Sequence, residues 1–196
     1  YIEMDIRETK DNQFVVMHDA NLKELAGVNK APHDLTLAEL TKLTVHENGH
    51  TAKIPSFDEY LAYADAHHQK LLIEIKTSPK DSKDMLQRFN AKYKADIMKN
   101  QHQIHSLSYP VVTGLKSITP NYFVSFILPF DLTYPSTDAD AYTMEQTTLD
   151  DNFIVQAHNQ NKKVYAWTVD DQQDMEKMIF KDVDAIITDN LSDLQD

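Results

Sequence analysis

Strand-like and helix-like segments alternate along the chain with short connections, and that alternation limits the possible folds more than any other feature. Tyr1–Arg7 (YIEMDIR) alternates polar and apolar residues and reads as a strand, and Phe14–Met17 (FVVM) as a short extended piece. Asn21–His33 reads as loop. Thr36 can cap a helix over Leu37–Leu43, with Glu39 completing a capping box; Ser56 and Glu59 repeat that arrangement for a helix reaching about His67. Between them Val45–Ile54 reads as loop, with Asn48-Gly49 as its turn. Leu71–Lys76 (LLIEIK) is a strong strand. Asp81–Lys99 predicts an amphipathic helix, with Met85, Phe89 and Tyr93 at i, i+4 spacing.

The second half continues the pattern. Strands are predicted over Gln103–Leu107, Tyr122–Leu128, Ala141–Glu145, Lys163–Val169 and Val183–Thr188. Helices are predicted over Tyr109–Ser117, Leu149–Asn161 and Asp171–Phe180, and a loop over Pro129–Asp138. Repeated β/α units with short links give a parallel sheet covered by helices. Without the short Phe14–Met17 piece there are seven strands, one short of a closed eight-stranded barrel, and 196 residues against about 250 for that fold. The expectation is one α/β domain over residues 1–196, a TIM (β/α)8-type barrel without its first unit, or an open sheet. With three glycines and no glycine-rich phosphate loop, dinucleotide and P-loop folds have no support.

Charge and composition remove further classes. The net charge of −12 repels phosphate backbones and anionic membrane surfaces, so no nucleic-acid partner is expected. With no cysteine, disulfides, thiolate metal sites and cysteine nucleophiles are excluded. No apolar run approaches the ~20 residues of a membrane span. The chain opens at Tyr1 directly on a strand, which reads as a piece of a longer polypeptide.

Within that frame a few polar residues stand out. Glu3 and Asp5 share one face of the first strand, with Ile2, Met4 and Ile6 on the other. Glu74 and Lys76 share a face of Leu71–Lys76 with Leu72. Inward carboxylates are costly unless something positive compensates them. Three of them at strand ends describe an oxygen-rich site for a hard cation, Ca²⁺ or Mg²⁺. The competing reading is an ion-pair network, Glu74 with Lys76 or Arg7. His18, at the end of the short extended piece and before Asp19, is placed for proton transfer, or is a plain surface-turn histidine. Lys76 could meet a phosphate or neutralise Glu74. Trp167 in VYAWTVD is a core residue or a platform for a small polyol.

The order of segments resembles the glycerophosphodiester phosphodiesterase family. The stretches YIEMDIRETKDNQFVVMHD, DLTLAELTKL, IPSFDEYL, LLIEIK, VYAWTVDD and DAIITD follow the family's order across nearly the whole chain. The resemblance implies a TIM barrel that hydrolyses glycerophosphodiesters to glycerol 3-phosphate and an alcohol with a divalent cation. It implies Glu3, Asp5 and Glu74 as metal ligands, His18 as one of two catalytic histidines, Lys76 near the phosphate, and Trp167 beside the glycerol. The family's His-Arg-Gly and Glu-Asn-Thr motifs are absent, Ser106-Leu107 replaces Ser-Phe, Asp170 replaces an asparagine, and Thr188–Leu191 replaces a Tyr-Pro tail. Without the other histidine, weak or no activity is expected of this polypeptide alone. The alternatives are a non-catalytic binding or scaffold barrel beside a membrane domain, and a lyase that forms a cyclic phosphate. Open strand edges at Tyr1 and Val183 lead us to expect either a homodimer or a chain produced with further residues. The surface composition suggests attachment to a bacterial membrane or cell surface, with the cytoplasm as the alternative.

Overall fold

The computed structural model describes residues 1–130 and 135–194. Part of the loop expected over Pro129–Asp138 therefore lies outside the described residues. The chain forms two compact units, Tyr1–Ile104 and His105–Asp196.

The first unit opens on β1 (Ile2–Glu8) and β2 (Phe14–Val16). They form an antiparallel pair in which Arg7 faces Val15 and Glu8 faces Phe14. Two short helices follow, α1 (Lys23–Ala26) and α2 (Leu37–Leu40), the first in a stretch expected to be loop. A 3-10 turn over Pro32–Asp34 separates them. The capping box predicted for α2 is formed in both directions: Thr36 accepts from the Glu39 N–H, and the Glu39 carboxylate accepts from the Thr36 N–H. Leu22, Leu35, Leu40 and Ile54 close a small apolar cluster against Val15 and Met17.

The stretch read as loop over Val45–Ile54 is a hairpin, β3 (Thr44–Glu47) and β4 (His50–Lys53). Asn48 and Gly49 both have positive φ, 48° and 79°, the turn geometry that suits strand twist. Its strands are almost wholly exposed, so no apolar alternation marks them.

α3 (Phe57–Ala66) starts from the second capping box, Ser56 with Glu59. β5 (Leu71–Ile75) is buried at every position and pairs in parallel with β1. α4 (Met85–Asn100) begins a turn later than predicted and buries Met85, Phe89, Tyr93 and Ile97. Phe14, Phe57, Phe89 and Tyr93 form an aromatic cluster between β2, α3 and α4, with centroids 4.7 Å apart for Phe57–Tyr93 and 5.6 Å for Phe14–Phe89. Beneath it His102 ties β5 to α3: Nδ1 accepts from the Leu71 N–H at 3.0 Å and Nε2 meets Asp65 at 2.8 Å.

β6 (Gln103–Ser106) carries the chain into the second unit. There α5 (Tyr109–Ile118), β7 (Val124–Leu128), β8 (Ala141–Glu145), α6 (Asp151–Asn159), β9 (Lys163–Trp167), α7 (Gln172–Phe180) and β10 (Ala185–Ile186) follow in the predicted order. β7 pairs in parallel with β8, β8 with β9, and β9 with β10. Asp150 and Asp171 cap α6 and α7 by accepting from backbone N–H groups. Among the described residues no helix is long and apolar enough to cross a membrane.

Candidate active site

In the first unit the parallel register sets Asp5 opposite Glu74 and Glu3 opposite Leu72. Side chains alternate along each strand, so Glu3, Asp5 and Arg7 leave β1 on one face. Oxygens of Glu3 and Glu74 lie within 4.8 Å of one another. The Lys76 Nζ sits 3.1 Å from Asp5 and 2.8 Å from Glu74. Glu3 approaches Glu74, Asp5 stands opposite Glu74 in the register, and Lys76 pairs with Asp5 and Glu74, the ion pair that the sequence offered as the competing reading for Glu74. Burial lowers the Lys76 pKa, but hydrogen bonds and charge from Glu74 and Asp5 outweigh it and leave the ammonium above its ordinary value.

Glu74 is only 6% exposed, and Asp5 and Glu74 also favour the charged form of Arg7. Oxygens bound to one Ca²⁺ lie at most about 5 Å apart, twice the metal–oxygen distance. The Glu3–Glu74 spacing falls inside that span and both donors are hard oxygens, so this pair fits a divalent cation, while Asp5 is held at the Lys76 ammonium.

His18 follows β2 by two residues. Its side chain is 70% exposed, and Nδ1 lies 2.9 Å from Asp19 Oδ1. A carboxylate at Nδ1 orients the ring and leaves Nε2 for proton exchange. The His18 carbonyl accepts from Arg7 Nε at 2.9 Å and from an Arg7 terminal nitrogen at 2.5 Å. Arg7 was read from the sequence only as an ion-pair partner. Its place on the Glu3–Asp5 face was the signal that could have singled it out.

A second set of ligand-type atoms, from Glu8, His33 and Asp81, lies within 4.8 Å beside a cavity of about 110 Å³ that Arg7 and Lys76 also line. Glu8 is fully engaged there by the Ser82 N–H, the Ser82 hydroxyl and Arg88. Burial and the neighbouring Glu8 charge raise the Asp81 pKa against a hydrogen bond from the Ser78 N–H. These contacts form an ion-pair network that ties the end of β1 to the start of α4.

In the second unit Trp167 ends β9, and its indole N–H donates to the Thr143 carbonyl at 3.1 Å. Its ring is half-buried, placed at a strand end and not in the core. Asp170 accepts from the Thr188 hydroxyl and the Asp189 N–H, joining the two segments that depart from the family pattern.

The glycerophosphoryl diester phosphodiesterase family matches residues 1–192. The chain belongs to this family. A glycerophosphodiester phosphodiesterase of Arabidopsis thaliana is 24% identical over 99% of this chain and 63% of its own length. A glycerophosphodiester phosphodiesterase of Caldanaerobacter subterraneus is 25% identical over 96% of this chain and 82% of its own. Among solved structures, an Oleispira antarctica phosphodiesterase in complex with the product sn-glycerol-3-phosphate superposes with a TM-score of 0.81 at 18% identity, covering 100% of this chain and 85% of that one. The chain thus spans under two thirds of the Arabidopsis relative. The fold class is α/β of the TIM (β/α)8 type, as the alternation of segments predicts.

Proposed function

We propose that the protein hydrolyses glycerophosphodiesters to glycerol 3-phosphate and an alcohol, with Ca²⁺ or Mg²⁺ held by Glu3, Asp5 and Glu74. The observation that carries this is the register pairing of Asp5 with Glu74 and the close approach of Glu3 to Glu74, on neighbouring strands of one sheet. Bound there, the cation supplies Lewis-acid stabilisation of charge on a phosphate oxygen. Lys76 keeps its charge beside Asp5 and Glu74 and acts as a point charge toward the phosphate. His18, oriented by Asp19, exchanges a proton with the attacking or leaving oxygen through Nε2. Trp167 keeps the role implied by the resemblance, a surface for the glycerol backbone. Its N–H is committed to Thr143, so contact would be through the ring. The Oleispira antarctica protein, with sn-glycerol-3-phosphate as its product, supports the same substrate class here.

The test is release of glycerol 3-phosphate from glycerophosphocholine by the full-length protein, followed in a coupled dehydrogenase assay. Release should require Ca²⁺ or Mg²⁺ and stop with EDTA. A folded protein that releases nothing with either ion overturns the proposal, and a cyclic glycerol phosphate product would redirect it to lyase chemistry.

A further inference from the structure

The third polar side chain on the Glu3–Asp5 face is Arg7, and its hydrogen bonds go to a backbone carbonyl. Its guanidinium donates twice to the carbonyl of His18, at 2.9 and 2.5 Å. The local backbone explains why that contact matters. β2 ends at Val16, and the Met17 N–H donates to the Asp5 carbonyl at 3.0 Å. Past that bond the chain leaves the ladder, so His18 sits on backbone that no strand partner holds. Packing does not fix it either, because the side chain is 70% exposed. Its ring contact, Asp19, is the next residue on the same segment. The rigid anchor comes from β1 through Arg7.

A guanidinium suits this task better than an ammonium. Its planar fork presents two parallel donors and fixes direction as well as distance. Half-buried, it loses some basicity to desolvation, while Asp5, Glu74, Asp81 and Asp19 favour the charged form. The edge used on the carbonyl is not open to grip a phosphate.

We infer that Arg7 is a positioning residue for His18: by clamping the His18 carbonyl it fixes where the imidazole stands relative to the strand that bears Glu3 and Asp5. This rests on the hydrolytic reading above. Small displacements of a reacting group cost up to about 100-fold in rate, so the effect belongs in turnover and not in substrate binding.

The experiment compares wild type, Arg7→Ala and Arg7→Lys by steady-state kinetics on glycerophosphocholine and by histidine-selective NMR of the imidazole signals. Circular dichroism melts confirm folding. For Arg7→Ala, kcat should fall by roughly 10- to 100-fold with KM unchanged, and the His18 resonances should shift or broaden while those of buried His102 stay. Arg7→Lys retains one donor and should recover part of kcat, and it serves as the test variant if the alanine form does not fold. A raised KM with unchanged kcat makes Arg7 a substrate ligand and overturns the inference. So do unchanged His18 signals. If wild type releases no glycerol 3-phosphate, the hydrolytic reading fails by itself, and the NMR comparison still decides whether Arg7 anchors His18.

Discussion

Asp5 and Glu74 are register partners on adjacent parallel strands, and the Lys76 Nζ lies within 3.1 Å of one and 2.8 Å of the other. Lys76 is 13% exposed, so its loss leaves two carboxylates facing each other with little solvent between them. Breaking a buried pair by removing one member costs about 3–5 kcal/mol. Lys76→Met should therefore lower the melting temperature of metal-free protein, and Ca²⁺ or Mg²⁺ should raise it more in the variant than in wild type. Equal metal-induced shifts in scanning fluorimetry would count against a cation at these carboxylates.

His18 stands in an exposed position. His18→Ala should leave the melting temperature unchanged, since the side chain is 70% exposed, while lowering the rate by about 10²–10⁴-fold. An unchanged rate would return His18 to the role of a surface-turn residue.

Phe89 holds the first unit together from α4. It is fully buried and stacks within the cluster of Phe14, Phe57 and Tyr93. Phe89→Ala should cost about 3–5 kcal/mol in urea denaturation. A loss well under that range would mean that the cluster collapses onto the space.

Asp81 gives a pH signature. Burial raises its pKa above the ordinary 3.8. Between the unfolded and folded values the native state holds a proton that the unfolded chain has released, so stability falls as pH rises through that window. Asp81→Asn removes the effect and keeps an acceptor for the Ser78 N–H. The variant should match wild type below pH 3.8, the unfolded value, and exceed it at neutral pH. Parallel urea melts across this range check the sign; a variant less stable at neutral pH contradicts it.

Much of this was legible because it follows from spacing. Period-2 alternation put Glu3 and Asp5 on one face, and the same rule set Glu74 and Lys76 together on β5. The capping boxes at Thr36 and Ser56 fixed two helix starts, and i, i+4 spacing identified the buried stripe of α4. The β3–β4 hairpin was missed because its strands bury almost nothing and show no alternation; only Asn48-Gly49 marked it. α1 was missed because four residues carry no helical period. The Arg7 contact with His18 could not be read at all. It joins residues eleven apart through a backbone carbonyl, and carbonyls have no sequence signature.

Calorimetric titration of metal-stripped protein with Ca²⁺ or Mg²⁺ tests the proposed cation site of Glu3, Asp5 and Glu74 most directly. Saturable binding of a single ion per chain, abolished in Glu74→Gln and weakened in Glu3→Gln, is the predicted result. Binding that is absent in wild type, or that survives both substitutions unchanged, would contradict it.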